Sequence, residues 1–119
     1  LDLVVANSIS DDVSVLLGNG DGTLLPQQIF DAGNEPNSIA IGDLNADGSL
    51  DLVATNGSSD DVSVLIGNGD GTFQPQQIFA VGDGPDSIAI SDLNGDGILD
   101  LATANASSDV VSVLLGQMP

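Results

Sequence analysis

Short runs of aliphatic and β-branched residues alternate along the chain with clusters of glycine, asparagine, aspartate and serine. The runs take the forms DLVVAN, VSVLLG, QQIF and SIAI, and each is four to six residues long. Within one of them Val62, Val64 and Ile66 occupy alternate positions, which is the period of two that a β-strand produces. Runs of this kind bounded by turn-forming residues predict strands. Because no segment shows a sustained helical period, the pattern predicts an all-β chain.

The runs recur in a fixed order. Asp2, Asp51 and Asp100 begin similar stretches, and successive members of this set lie 49 residues apart. Four short strands per unit at a period of about 40–50 residues are typical of propeller blades. We therefore expect tandem four-stranded antiparallel blades in a single repeat-built region. The units are a partial blade over residues 1–36, a complete blade over 37–85 and a partial blade over 86–119.

This number of blades has a consequence for assembly. About two and a half blades fall short of the four or more that a closed propeller needs. We therefore expect an incomplete or open propeller. The chain is then a segment of a longer repetitive protein, or a protomer that joins further copies of the same repeat head to tail, as in a filament.

An acidic loop is the clearest candidate for chemistry. It reads DLNADGSLD from Asp43 and DLNGDGILD from Asp92. Oxygen ligands at positions 1, 3, 5 and 9, with the carbonyl of position 7, can surround a hard cation, while glycine at position 6 allows the chain to reverse. The sequence predicts two calcium sites on this basis. The predicted ligands are Asp43, Asn45, Asp47, the Ser49 carbonyl and Asp51, and then Asp92, Asn94, Asp96, the Ile98 carbonyl and Asp100.

Other interpretations of the loop are less consistent with the sequence. Aspartate and asparagine also form ordinary turns, but the full nine-residue pattern occurs twice at a fixed offset. An EF-hand or dockerin loop needs flanking helices and an acid at position 12, where this chain has Ala54 and Thr103. Zinc and copper prefer histidine or cysteine, which are absent. Asp2, near the start of the sequence, occupies the position of the last aspartate of a further loop. We interpret it as a possible partial site.

Composition narrows the possible functions. The chain has 18 acidic residues and no Lys, Arg or His, which gives a net charge of −18. Without basic residues it is a poor partner for nucleic acid or an anionic membrane, and no apolar run is long enough to insert into a bilayer. Nucleophile and base pairs of the usual kinds need His, Cys, Lys or Tyr, and all four are absent. We therefore expect no enzymatic activity.

The same residues resemble a known family. SIAISDLNGDGILDLATAN, from Ser87, and VSVLIGNGDGTFQP, from Val62, are similar to the FG-GAP/VCBS repeats of integrin α-like β-propellers. The resemblance covers essentially the whole chain. It implies four antiparallel strands per blade, a calcium loop between the first and second strands, and an extracellular or cell-surface role in adhesion, carbohydrate binding or scaffolding. Such loops often carry Lys after the Asp-Gly pair, where this chain has Ser49 and Ile98.

Several features remain open. Asn56-Gly57-Ser58 and Asn105-Ala106-Ser107 are possible N-glycosylation acceptors. The SDD stretches that begin at Ser10 and Ser59 are either a second cation or sugar site or solvated turns, and turns are the simpler interpretation.

We expect a calcium-binding structural or adhesive module. The alternative is a lectin-type or receptor-type propeller that binds carbohydrate or a surface protein, and aromatic or arginine residues in further blades would favour it.

Overall fold

The computed structural model describes residues 1–117, so residues 118–119 of the predicted third unit lie outside it. The described chain contains ten strands and no helix. They are β1 (Leu3–Asn7), β2 (Asp12–Leu16), β3 (Gln28–Asp31), β4 (Pro36–Gly42), β5 (Asp51–Asn56), β6 (Asp61–Leu65), β7 (Gln77–Ala80), β8 (Pro85–Ser91), β9 (Asp100–Asn105) and β10 (Val110–Leu114). The all-β prediction is confirmed.

The strands form three separate antiparallel sheets. Strands β1, β2 and β3 form blade A, strands β4 to β7 form blade B, and strands β8, β9 and β10 form blade C. Each sheet follows the order of its strands in the chain, and none closes into a barrel. Blade B therefore has four strands, and blades A and C have three strands each. Among residues 1–117 there is no helix of membrane-spanning length and hydropathy.

Strand register repeats with the sequence. Val13 pairs with Phe30 in blade A, and Val62 pairs with Phe79 at the same place in blade B. The GNGDGT sequences form tight turns, each closed by a single bridge, Gly18 to Leu24 or Gly67 to Phe73. Identical local sequence therefore gives identical local pairing, as expected when turn chemistry fixes register.

Two apolar layers hold the three sheets together. The layer between blades A and B is built around Val13, Val15, Leu52 and Leu65, and Phe73 packs against it. Phe30 and Phe73 meet edge to face with ring centroids 5.2 Å apart. The layer between blades B and C contains Val53, Val62, Val64 and Leu101.

The two central strands of blade B are consequently buried on both faces. Strand β5 is buried along its whole length, and β6 is buried from Val62 to Leu65. The alternation of Val62, Ser63 and Val64 therefore does not separate a core face from a solvent face. Each face of this blade packs against a neighbouring blade, as in a propeller.

Candidate metal site

Both acidic loops connect the first strand of a blade to its second strand. The first loop lies between β4 and β5, and the second lies between β8 and β9. Gly48 and Gly97, at position 6 of the two loops, have φ values of +87° and +85°. This left-handed conformation favours glycine, so the DG pair in each loop is required by the backbone reversal.

In the first loop the acidic side chains turn inward and accept hydrogen bonds from the loop backbone. Asp43 accepts from the N–H groups of Asp47 at 3.1 Å and Gly48 at 2.9 Å. Asn45 Oδ1 accepts from the Asp47 N–H at 3.2 Å, and Asp47 Oδ1 accepts from the Ser49 N–H at 2.8 Å. The Ser49 bond is the main reason that the pKa of Asp47 lies below its usual value.

The second loop repeats this arrangement. Asp92 accepts from the N–H groups of Asp96 at 3.1 Å and Gly97 at 2.9 Å, and Asp96 Oδ1 accepts from the Ile98 N–H at 2.9 Å. A further bond from the Gly95 N–H to Asp92 Oδ1, at 2.8 Å, occurs in this loop. The two copies therefore share one folded form despite the exchange of Ser49 for Ile98.

The last aspartate of each loop is buried and joins the loop to a glycine just after the third strand of the same blade. Asp51 is 0% exposed and accepts from the Leu44 N–H at 2.8 Å and the Gly67 N–H at 2.9 Å. Asp100 is also buried and accepts from Leu93 at 2.7 Å and Gly116 at 2.8 Å. The chain has no basic side chain, so backbone N–H groups alone compensate these buried carboxylates.

The hydrogen bonds that Asp100 accepts also change the pKa of its carboxyl group. The N–H of Gly116, followed by that of Leu93, holds the pKa of Asp100 below its usual value. Donors aimed at a carboxylate stabilise the charged form, so they favour the state that a cation would bind.

The donor set fits a hard cation by its chemistry. All the side-chain ligands predicted for each loop offer carboxylate or amide oxygens, which are the ligands that calcium prefers. In residues 1–117 no three acidic side chains come together as a group that could hold a metal ion. Asn45 also directs its Nδ2 at Asp47 Oδ2, at 3.0 Å. The loops are thus ordered by their own backbone donors.

Asp2 takes part in the same kind of contact as the two complete loops. Its Oδ1 accepts from the Gly18 N–H at 2.8 Å, as Asp51 accepts from Gly67 and Asp100 from Gly116. Asp2 is exposed, unlike its two equivalents. The predicted partial site therefore keeps the link to the hairpin.

The two glycosylation candidates are buried. Asn56 is 0% exposed, and its Nδ2 donates to Asp61 at 2.7 Å and Ser63 at 2.9 Å. Asn105 is also buried and donates to Ser112 at 2.8 Å. The folded chain offers neither amide nitrogen to solvent, and attachment of a glycan to Nδ2 would break these hydrogen bonds. We therefore propose no glycosylation at either residue.

These asparagines belong to a polar network that the sequence analysis missed. Asn56, Asp61 and Ser63 are linked to Gln76, whose Oε1 accepts from Ser63 at 2.6 Å. The same four-residue network occurs in blade A, as Asn7, Asp12, Ser14 and Gln27. In blade C, Val110 occupies the position of Asp61. The sequence contained a signal for this network, because the same four residue types recur 49 positions apart in the first two units.

The SDD stretches act as turns that fasten the linkers between blades. Asp11 Oδ1 accepts from the Glu35 N–H at 2.9 Å, and Asp60 Oδ1 accepts from the Gly84 N–H at 2.8 Å. Both aspartates have positive φ. Their carboxylates therefore stabilise the turns and the passage of the chain to the next blade.

Comparison with protein families identifies the repeat. The model of the FG-GAP-like repeat matches residues 1–54 and again residues 43–103. The chain belongs to the FG-GAP-like repeat family. The two matches overlap on the first acidic loop and the start of β5, and they end 49 residues apart, at equivalent positions of blades B and C. FG-GAP-like repeats are modules of extracellular and adhesive type, and are not typically enzymes.

Comparison with curated proteins and comparison with solved structures each gave no match.

Proposed function

We propose that this FG-GAP-like chain is a calcium-stabilised structural or adhesive module that acts outside the cell or at the cell surface. The observation that carries the proposal is the repeated nine-residue loop, in which the oxygen atoms of the aspartates and the asparagine accept hydrogen bonds from nearby backbone N–H groups. Asp43, Asn45, Asp47, Asp51 and the Ser49 carbonyl would hold the first ion. Asp92, Asn94, Asp96, Asp100 and the Ile98 carbonyl would hold the second.

Calcium binding would relieve the electrostatic repulsion between the carboxylates of this chain. The chain carries 18 acidic residues and no basic side chain, so its folded form suffers unrelieved repulsion between carboxylates. Two divalent ions would neutralise about four of these charges where they are closest together. Binding to the folded form alone stabilises it by mass action. A calcium-rich extracellular setting suits such an acidic chain.

The residues around the loop would transmit this stabilisation to the blade interface. Asp51 joins the first loop to Gly67, which begins the GNGDGT hairpin of blade B. That hairpin ends at Phe73, which packs on Phe30 of blade A. A Cβ placed on Gly71 would lie 2.7 Å from Leu17 Cδ1, which shows how closely the hairpin approaches blade A. Order in the loop therefore supports the contact between two blades.

Calcium titration followed by native mass spectrometry tests the proposal. We expect two calcium ions per chain in the wild type, one in Asp47→Ala or Asp96→Ala, and none in the double variant. Magnesium at the same concentration should bind more weakly, because it rarely takes a cage made only of protein ligands. Preferential zinc binding, or no calcium bound at millimolar concentration, would contradict the proposal.

A further inference from the structure

The two outer faces of the molecule carry apolar residues at positions equivalent to those of its two internal interfaces. The outer face of blade C, here called the C face, consists of Leu93, Ala102, Val111, Val113 and Leu115. The outer face of blade A, here called the A face, consists of Leu3, Val5 and Leu16. Each of these residues has an equivalent inside the molecule, 49 positions away along the chain.

The C face corresponds to the side of blade B that is covered by blade C. Val62 and Val64 are 0% and 7% exposed, whereas their equivalents Val111 and Val113 are 68% and 54% exposed. In blade A the equivalent residues, Val13 and Val15, are again buried. The same sequence, VSVL, is therefore covered by the next blade at both internal interfaces and uncovered on the C face.

The A face corresponds to the side of blade B that packs on blade A. Leu52, Ala54 and Leu65 are buried there in the apolar layer between the two blades. Leu3 and Val5, the equivalents of Leu52 and Ala54, are 47% and 38% exposed, and Leu16 is half-buried. The A face thus presents the apolar residues that the C face would meet if the internal arrangement continued.

We infer that the C face of one copy of this chain binds the A face of a second copy, in the geometry of the internal blade contacts. This inference deepens the expected association with further copies of the repeat and does not depend on calcium binding. The contact joins two different surfaces, so it runs head to tail. Blade A has three strands where blade B has four, so the contact uses fewer strands than the internal one and we expect it to be weaker.

Charge makes the association dependent on ionic strength. Each copy carries a net charge of −18, so copies repel one another in dilute buffer. Salt screens this repulsion without weakening apolar contact. We therefore expect self-association to increase with salt, and to increase further with calcium if the loops bind it.

Complementary variants test the inference by analytical ultracentrifugation at high salt. Val111→Asp places a charge in the C face and leaves the A face intact. Leu3→Asp places a charge in the A face and leaves the C face intact. Each variant alone should sediment as a monomer, because each lacks one half of the contact. An equimolar mixture should give a species of twice the monomer mass and nothing larger, because only one productive contact remains. The wild type should form dimers and longer species as concentration rises.

Controls make each outcome decisive. Ile9→Asp replaces a fully exposed apolar residue in the β1–β2 turn, away from both faces, and should assemble like the wild type. Far-UV circular dichroism should show that all variants keep their strands, since the replaced side chains are exposed. Self-association of Leu3→Asp alone would show a symmetric contact and overturn the inference, as would a wild type that stays monomeric at every concentration and salt level.

Discussion

The buried carboxylate of Asp51 accepts a hydrogen bond from the backbone N–H of Gly67 at 2.9 Å, which ties the acidic loop to the hairpin that follows β6. Asp100 and Gly116 form the same bond at 2.8 Å, and so do Asp2 and Gly18. One contact is thus made three times, once in each blade. In blade B it connects the candidate calcium loop to the hairpin that meets blade A.

Replacing Asp51 by alanine should destabilise the chain even without calcium. The change leaves the N–H groups of Leu44 and Gly67 without their acceptor, and the second of these bonds is buried. A loss of about 3 kcal/mol in the free energy of unfolding follows from typical costs of unsatisfied buried donors. Urea denaturation followed by far-UV circular dichroism measures it, since the chain has no Trp or Tyr.

Asp2→Ala is the matched control for this change, because Asp2 makes the same bond in an exposed setting. Water can replace its carboxylate, so the loss should be less than about 1 kcal/mol. Equal losses in the two variants would show that burial of Asp51 contributes nothing.

Replacing Asp47 by alanine should remove the stabilisation that calcium gives through the first loop. A site occupied by calcium at 100 times its dissociation constant contributes about 2.7 kcal/mol. The wild type should therefore gain more thermal stability on calcium addition than the variant does. Ser58→Ala, which changes an exposed side chain outside both loops, should respond to calcium like the wild type. Identical calcium responses in all three proteins would mean that the loop is an ordinary turn.

Alanine at Gly71 should weaken the contact between blades A and B, and alanine at Gly22 should not. Both glycines occupy equivalent hairpin positions, with φ values of +90° and +92°, so the two changes carry the same backbone strain. A Cβ at Gly71 would meet Leu17 of blade A, whereas a Cβ at Gly22 has no atom within 4 Å.

Gly71→Ala should therefore be less stable than Gly22→Ala by about 1 kcal/mol, the lower end of overpacking costs. Urea denaturation of the two variants measures the difference. If they were equally stable, the hairpin would not press on blade A in solution.

The hairpin aspartates should titrate below the usual pKa. Hydrogen bonds from the hydroxyl and then the backbone N–H of Thr72 lower the pKa of Asp70 from 3.8, and Thr23 lowers that of Asp21 in the same way. A lowered folded-state pKa adds stability that is complete above the unfolded-state pKa and is lost as pH falls through the folded-state pKa.

NMR titration of the side-chain carboxyl carbons in the wild type and in Thr72→Val separates the contributions. The variant should raise the pKa of Asp70 toward 3.8 and leave that of Asp21 unchanged, because each threonine serves only its own turn. A parallel rise at both aspartates would mean that the lowering does not come from the threonine hydroxyls.

The sequence by itself determined the local structure and the architecture. Strand runs with a period of two, glycine-rich turns and the 49-residue repeat predicted an all-β chain of tandem antiparallel blades. These features depend on neighbours in the chain, such as Gly48 at a position that requires positive φ. The resemblance to FG-GAP repeats implied that both acidic loops lie between the first and second strands of a blade, and the structure has them there.

Only the tertiary structure decided which of these residues are buried. Asn56 and Ser58 are both polar residues at a strand end, yet the first is buried in a hydrogen-bond network and the second is accessible. Val62 and Val111 stand in almost identical sequence, yet only Val62 is covered. Burial depends on whether a neighbouring blade packs against the residue, and the residues that supply that blade lie dozens of positions away along the chain. A local pattern specifies which face a side chain occupies, and the packing of the blades specifies what that face meets.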